Sequence, residues 1–328
     1  MFNRGLIIGE FNPTHEGHIA LITFALNSVT QLEVCICYPV DDLLSGVLRT
    51  HWLKDICWRI GGKRITVHTV SDAKLPFKRD PDWETSKVWA NYLRQRFGKI
   101  DAIFSSEKSG EYMSLVLQCK HIMFDPSRRA VPVFGEGIRK NPFQYWNFLP
   151  AEVRPHFVKK ICLYGSESTG KTTVGQQLAT HFNTHFVPEM ARALLGERKC
   201  VAEDFAPIAR LQLSEVQHKT LSANKLLFCD TDLITSQIYS EVYFNTCDPF
   251  VLECQRLEKY DLYLFFDTDL PWVADEQRDL GARRCELHER FKSELEKRGI
   301  PSILIQGKGA LRFQNALKAV QEAFSLGE

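Results

Sequence analysis

The chain has 328 residues, more than one ordinary hydrophobic core holds, and this length predicts two domains. Its 41 basic and 40 acidic residues leave a formal net charge of +1, so no overall field attracts nucleic acid or a membrane, and an anion site must be local. Ten cysteines without a C-x-x-C pair favour reduced thiols, and no apolar run reaches about eighteen residues, so we expect a cytoplasmic protein without a membrane span.

The chain begins with a short apolar strand over 5–9, a loop over 10–18 and then a helical stripe of apolar residues. The loop carries His15 and His18, which lie three residues apart at the predicted helix start and therefore share one face. Imidazole N–H groups near a helix N-terminus can donate hydrogen bonds to phosphate oxygens. Taken alone, such a pair is more often a cap or a surface feature, so its role depends on the rest of the loop.

Strand patterns alternate with helical patterns through the rest of the first half. We predict strands over 32–38, 64–70, 102–106 and 121–124, and helices over 48–60 and 85–97. This alternation is typical of a doubly wound parallel sheet, in which ligands bind at the carboxyl ends of strands, where the His15 loop and Ser105-Ser106 both fall. Two later residues leave alternatives open. Trp89 is a core residue or a stacking surface, and Arg139 is a phosphate clamp or a solvated arginine at a helix start.

A stretch rich in proline and aromatic residues separates the halves, and we place the boundary at its end, with domains over 1–155 and 156–328. The second domain opens with a predicted strand over 158–164, and a helix follows. Between them lies a stretch that fits G-x-x-x-x-G-K-[ST] at every fixed position, namely Gly165, Ser166, Glu167, Ser168, Thr169, Gly170, Lys171, Thr172 and Thr173. In such a loop, backbone N–H groups surround phosphate oxygens, Lys171 reaches the terminal phosphates and the Thr172 hydroxyl binds Mg²⁺. Because strand, glycine loop and helix agree, a simple surface turn is disfavoured.

Acidic residues end the next apolar strand, which is predicted over 226–232. Phosphoryl transfer needs a carboxylate near Mg²⁺ and another near the attacking hydroxyl. Asp230 and Asp232 are the predicted catalytic residues for these roles, and Asp230 is also the predicted metal ligand beside Thr172. The sequence leaves open which of the two is the base, and a strand-end turn is the alternative for both.

Two further segments of the second half carry charges next to predicted strands. Glu189 and Arg192 are either substrate contacts or a surface pair three residues apart. A strand over 261–267 leads into a charged segment over 271–281 that contains Arg278. Such a segment is typical of a lid that closes on phosphates, so we predict that Arg278 contacts the nucleotide.

The loop of the first domain reads Gly9-x-Phe11-x-Pro13-x-His15-x-Gly17-His18 and resembles the signature of the nucleotidyltransferase superfamily. The resemblance implies that His15 and His18 bind the ATP phosphates and stabilise the charge of the leaving pyrophosphate. It also implies backbone contacts at Gly9 and Phe11 and a phosphate contact at Arg139. In that chemistry a substrate phosphate attacks the α-phosphorus directly, so catalysis consists of placement and charge stabilisation.

The two loops in this order resemble the NadR family, in the form without an N-terminal DNA-binding domain. The resemblance covers nearly the whole chain and includes segments over 104–107, 125–126, 138–139, 142–146, 182–184 and 230–232. It implies an α/β fold with two doubly wound parallel-sheet domains. The first would be a Rossmann-like nucleotidyltransferase domain and the second a P-loop kinase domain.

The resemblance also implies a function in NAD salvage. The second domain would phosphorylate ribosylnicotinamide with ATP and Mg²⁺, and the first would join nicotinamide mononucleotide to AMP from ATP, giving NAD and pyrophosphate. The implied partners are these small molecules, with no membrane and no nucleic acid, and a homo-oligomer is left open.

The chain departs from the NadR pattern just before Arg139, where Phe134 and Glu136 replace serine and threonine. A hydroxyl there could donate to a phosphate oxygen, which phenylalanine and an ionised glutamate cannot do, so we expect weaker ATP binding in the first domain. Three alternatives remain. One is a kinase with a degraded nucleotide-binding or sensing first domain, and another is a nucleotide-sensing regulator. The third is the adenylyltransferase–kinase fusion of coenzyme A synthesis, which the 142–146 segment disfavours.

Overall fold

The structure is a computed structural model that describes residues 1–39, 42, 44, 46–71, 75–76, 82–272 and 280–326. The chain divides into two compact units, Met1–His156 and Phe157–Glu328. Within the described ranges, no helix combines the length and the apolar character that a membrane crossing requires.

The first unit is built around one parallel sheet. Its strands are β1 (Phe2–Gly9), β2 (Val29–Cys37), β3 (Ile65–Val70), β4 (Ala102–Ser105) and β5 (Lys120–Met123). Its helices are α1 (Glu16–Leu26), α2 (Gly46–Gly61), α3 (Trp83–Phe97), α4 (Ser109–Leu117) and α5 (Gly135–Lys140). The strand order is β3-β2-β1-β4-β5, so β1 lies at the centre and the order reverses between β1 and β4. Such a reversal leaves a crevice at the carboxyl ends of the strands.

Both faces of this sheet are covered. Ile7 packs in one buried cluster with Ile22 and Leu26 of α1. Its neighbour Leu6 packs in another buried cluster with Leu93 of α3. Since successive strand side chains point to opposite faces, the alternation places helices on both sides, as the predicted doubly wound arrangement requires.

The second unit contains another parallel sheet. Its strands are β6 (Lys159–Tyr164), β7 (His185–Val187), β8 (Leu226–Asp230), β9 (Leu262–Phe266) and β10 (Ser302–Ile305). Its helices are α6 (Lys171–His181), α7 (Met190–Leu195), α8 (Phe205–Thr220), α9 (Leu233–Phe244), α10 (Pro249–Gln255), α11 (Arg284–Lys297) and α12 (Ala310–Phe324). The strand order is β10-β9-β6-β8-β7, with β6 at the centre. The predicted class, two doubly wound parallel α/β sheets, is confirmed.

The first two strands are longer than predicted. β1 begins at Phe2 and β2 at Val29, three residues before each predicted start, and these two residues pair in the parallel register. The backbone N–H groups of Asn3 and Arg4 donate to the Asp101 carboxylate at 3.1 and 2.9 Å. Polar residues that interrupt the apolar pattern are therefore held in the strand by a tertiary contact that the local sequence does not contain.

Candidate active sites

A cavity of about 690 Å³ opens at the carboxyl ends of β1 and β4. The cavity is bordered by the His15 loop, by Ser105-Ser106 after β4 and by residues near Arg139. The residues around it include Gly9, Glu10, Phe11, Asn12, His15, His18, Trp89, Ser105, Ser106, Glu107, Arg128, Phe134, Glu136 and Arg139. All five site residues predicted for the first half thus border one cavity. Trp89 combines the two interpretations left open, because it is 7% exposed, donates from Nε1 to Pro76 at 2.9 Å and also borders this cavity.

The two histidines form a stacked pair at the N-terminus of α1. His15 is the N-cap, and its ring lies 3.8 Å from that of His18. The backbone N–H of His15 donates to Nδ1 of His18 at 3.3 Å, so His18 carries its proton on Nε2. Burial lowers the pKa of His15 to about 3 and that of His18 well below its ordinary value, and Arg128 adds to both shifts. Both imidazoles are therefore neutral near pH 7.

The loop before the histidines is held by a fully buried arginine. Arg49 donates to the carbonyl oxygen of Glu10 and forms an ion pair with Asp42 at 2.9 Å. Asp42 also accepts from the amide of Asn12 at 2.7 Å. Arg139 in turn donates to the carbonyl oxygen of Asn12, so it is tied to the histidine loop. Arg49 is not among the predicted site residues, because its partners, the Glu10 carbonyl oxygen and Asp42, lie in other segments of the chain.

Four carboxylates also border this cavity, those of Glu10, Glu107, Asp125 and Glu136. Burial, with a contribution from Asp42, raises the pKa of Glu10. Glu136 lies 2.9 Å from the ammonium of Lys140, one helical turn later. Phe134 is 46% exposed beside them. The cavity therefore combines neutral imidazoles and arginines with acidic groups.

The glycine loop of the second unit joins β6 to α6. Gly165 and Gly170 have φ values of +133° and +82°, in the region that favours glycine. A Cβ on Gly165 would lie only 2.9 Å from the carbonyl oxygen of Phe266. The ammonium of Lys171 donates to the carbonyl oxygens of Gly165 and Ser166, both at 2.8 Å. The loop thus curls around its own lysine.

The two acids after β8 have different environments. Asp230 is 2% exposed and accepts from the Thr172 hydroxyl at 2.5 Å. Asp232 caps α9, accepting from the N–H and hydroxyl of Thr235 at 2.9 Å each and from the Tyr263 hydroxyl at 3.0 Å. The Asp230 carboxylate therefore faces the glycine loop, whereas the Asp232 carboxylate is used within the fold.

A pocket of about 440 Å³ lies beside Asp230 and Thr172. Its walls are formed by Thr172, Pro188, Glu189, Arg192, Ala193 and Asp230. Glu189 is the N-cap of α7, and its carboxylate lies 4.0 Å from Nε of Arg192. The two side chains proposed from sequence as substrate contacts or a surface pair are therefore both an ion pair and part of the pocket that contains Asp230.

Comparison with known proteins gives concordant matches. A family profile described as an AAA domain matches residues 160–312. The trifunctional NAD biosynthesis/regulator protein NadR of Escherichia coli (strain K12) is 29% identical over an alignment of 352 positions, gaps included, that covers 97% of this chain and 82% of that protein. The NadR protein of Salmonella typhimurium (strain LT2) is 30% identical over 310 residues, covering 85% of this chain and 72% of that protein. The chain belongs to the NadR family. The predicted family and enzyme class, a transferase of NAD biosynthesis, are confirmed.

The fold agrees with NadR over the whole length. A crystal structure of NadR protein in complex with NAD and AMP-PNP superposes with a TM-score of 0.82 at 22% identity, covering 100% of this chain and 98% of that one. This likeness supports the strand order found within each sheet.

Two further arginines, which are not among the predicted site residues, lie beside the glycine loop of this NadR-family chain. Arg284 donates to the carbonyl oxygen of Ser168 at 3.2 Å. Arg312 is 2% exposed, donates to the carbonyl oxygen of Asp267 at 2.8 Å and pairs with Asp269 at 2.5 Å. The predicted nucleotide contact Arg278 lies outside the described residues.

Proposed function

We propose that this chain makes NAD in two steps, one in each unit. The second unit transfers a phosphoryl group from ATP to the 5′-hydroxyl of ribosylnicotinamide, giving nicotinamide mononucleotide. The first unit joins that product to AMP from ATP, giving NAD and pyrophosphate. Membership of the NadR family supports the proposal. The observation that carries it is that a candidate phosphate-binding loop and polar side chains lie together in each unit: His15 and His18 with Arg139 in the first, and Thr172 with Asp230 in the second.

In the kinase step, the ribose 5′-oxygen attacks the γ-phosphorus, the bond to the β–γ bridging oxygen breaks, and ADP leaves. Lys171 stabilises charge on the transferring group, aided by backbone N–H groups of the loop. The hydroxyl proton needs an acceptor. Glu189 is the proposed base, because it shares the pocket with Asp230, whose carboxylate is held by Thr172. Asp232 is assigned a structural role, because its oxygens cap α9 and accept from Tyr263.

The residues beside the loop fit Mg²⁺, which prefers oxygen ligands. Thr172 supplies a hydroxyl and Asp230 a carboxylate, and Oδ1 of Asp230 is buried with no hydrogen-bond partner among the described residues. An orphaned carboxylate oxygen is costly unless a cation or donor meets it. These two residues would hold the ion, which when bound neutralises charge on the β- and γ-phosphates.

In the adenylyl transfer, a phosphate oxygen of nicotinamide mononucleotide attacks the α-phosphorus of ATP, the α–β bridging bond breaks, and pyrophosphate leaves with its negative charge. Because Nδ1 of His18 accepts from the backbone N–H of His15, its neutral ring carries the proton on Nε2, and this N–H would donate to a phosphate oxygen. Arg139 adds a fixed positive charge beside the same loop. No proton has to be removed from the attacking phosphate, so positioned donors are sufficient.

One experiment tests both steps. The full chain is incubated with MgATP and either ribosylnicotinamide or nicotinamide mononucleotide, and products are separated by mass. Wild type should give NAD from both. Lys171→Ala should lose the first conversion and keep the second, whereas His18→Ala should keep formation of the mononucleotide and lose NAD. Loss of both steps in either folded variant would contradict two independent sites.

The acidic groups of the first cavity favour one second candidate, a kinase whose first unit binds nucleotides without turnover. Glu10 and Glu136 would each repel a triphosphate in that cavity. Production of nicotinamide mononucleotide without any NAD, in a chain whose first unit still binds ATP, would establish this alternative.

A further inference from the structure

The turn after β5 has an unusual backbone. Asp125 and Arg128 have φ values of +40° and +52°, a left-handed conformation that side chains other than glycine rarely adopt. The Asp125 carboxylate compensates by accepting backbone N–H groups of Arg129, Ala130 and Val131 at 2.8, 3.0 and 3.3 Å. Backbone strain of this kind persists where the surrounding structure enforces it, and it clusters at binding sites.

This turn directs one guanidinium group to the first cavity. Arg128 borders the cavity together with His15 and His18. Its Nη1 donates to the carbonyl oxygen of Val133 at 3.1 Å. Its Nη2 forms an ion pair with the Glu107 carboxylate at 3.8 Å, a separation too long for a hydrogen bond. A guanidinium has five N–H donors, so most of them have no acceptor among the described residues.

The charges around the cavity explain why a further cation is needed. His15 and His18 are neutral, because burial lowers the pKa of each. Arg139 already donates to the carbonyl oxygen of Asn12. Glu136 lies in the same wall. Without Arg128, a polyphosphate bound beside the imidazoles would therefore meet the positive charge of Arg139 alone among the described residues that border the cavity.

We propose that Arg128 is a phosphate-binding residue of the first unit, which contacts the triphosphate beside His15 and His18, and that Asp125 is its positioning residue. The inference rests on the proposed adenylyl transfer. As the α–β bridging bond breaks, negative charge accumulates on the departing pyrophosphate, and a planar guanidinium can bind two of its oxygens at once.

The neighbouring arginine provides a matched control. Arg129 has the same formal charge, is exposed and does not border the cavity. NAD formation from nicotinamide mononucleotide and MgATP is measured on the full chain. Arg128→Gln should lower kcat/KM for ATP by at least ~100-fold, and Arg129→Gln by less than about 2-fold, because only the first removes a contact to the developing charge. Equal losses in both variants, or none in Arg128→Gln, would overturn the inference.

A second variant separates the side chain from the fold of the turn. Glycine adopts a positive φ without strain, so Arg128→Gly should leave the turn intact and still lose NAD formation. Arg128→Lys should recover only part of the rate, because an ammonium cannot bind two phosphate oxygens in one plane. The kinase reaction of the same molecules should stay at the wild-type rate. Full NAD activity in Arg128→Gly would assign the arginine to the turn alone.

Failure of the proposed function can be distinguished from failure of this inference. If the wild type forms no NAD, ATP binding is measured by calorimetry in the Lys171→Ala background, where the second phosphate loop lacks its lysine. A loss of affinity of at least ~10-fold on Arg128→Gln would then uphold the phosphate contact and refute only the chemistry. Unchanged affinity would refute the contact.

Discussion

Asp230→Asn keeps the shape of a nearly buried side chain and removes its charge. The carboxylate is 2% exposed, accepts from the Thr172 hydroxyl at 2.5 Å, and has a second oxygen without a hydrogen-bond partner in the described part of the chain. We expect kinase turnover at saturating substrates to fall at least ~100-fold, which is about 2.7 kcal/mol of transition-state stabilisation. The amide oxygen can still accept from Thr172, so the stability of the unit should change by no more than about 1 kcal/mol.

Asp232→Ala should show the opposite behaviour. The substitution removes the cap of α9, which contributes about 1 kcal/mol, and leaves the Tyr263 hydroxyl without its acceptor, at a further cost of about 1–3 kcal/mol. For a unit of this size, each 1 kcal/mol lowers the thermal midpoint by about 2–4 °C, so a total decrease of roughly 4–16 °C is expected. Turnover measured well below that midpoint should stay within about tenfold of wild type, because no contact to the reacting groups is lost.

The assay couples ADP release to a spectroscopic signal at 20 °C, and circular dichroism follows thermal unfolding of the same preparations. Near-normal turnover in Asp230→Asn would remove Asp230 from the metal and phosphate site. A folded Asp232→Ala protein with turnover reduced at least ~100-fold would show that the cap is also a catalytic group.

Three further results are expected. Glu189→Gln should lower kinase turnover by about 10²–10⁴-fold with little change in KM for ATP, and an unchanged turnover would exclude Glu189 as the base. Glu136→Thr should lower the KM for ATP in NAD formation by only about 2–5-fold, because Lys140, 2.9 Å away, already offsets most of the repulsion between Glu136 and the phosphates. Lys140→Ala should raise this KM. An unchanged KM in both variants would show that Glu136 lies away from the phosphates. Burial, with the charge of Asp232, raises the pKa of Glu258 to about 8, so the folded state binds a proton that the unfolded state loses near pH 4.5. As the pH rises from 4.5 to about 8, the free energy of unfolding measured in urea titrations should therefore fall by up to about 1.4 kcal/mol per pH unit. Glu258→Gln should make the free energy of unfolding less dependent on pH in this range.

The sequence was sufficient to predict those parts of the sites whose residues lie close together in one continuous segment. The glycine loop has positive φ values at Gly165, Ser168 and Gly170, and α6 follows it directly, so both glycines of the motif and the helix lie in one continuous segment. The histidine pair was equally accessible, because His15 and His18 are neighbours on one helix start.

Residues that reach a site from distant segments could not be predicted in this way. Asp230 and Asp232 are equivalent by position, and their roles separate only through Thr172 on one side and Thr235 on the other. Arg128 reaches its cavity through a left-handed turn that no propensity indicates. For Arg312 a signal did exist.

Arg312 shares a helical stripe with the buried residues Ala316 and Val320 of α12. A charged residue at the polar end of such a stripe predicts a buried partner, because an unpaired buried charge is unstable. Asp269 is that partner, at 2.5 Å.

The hydrogen bonds of Lys171 to the carbonyl oxygens of Gly165 and Ser166 change what selectivity at this loop means. Two of the three ammonium N–H groups already have acceptors, so binding of a phosphate would exchange one set of acceptors for another. A single phosphate ion would have to replace both bonds and lose part of its own hydration. Under the proposed function, a nucleotide triphosphate would also engage the loop N–H groups and the Thr172 hydroxyl, and this additional attraction would drive the exchange. Every phosphate compound that binds at this loop would therefore compete with the carbonyl oxygens of the loop itself for the ammonium of Lys171.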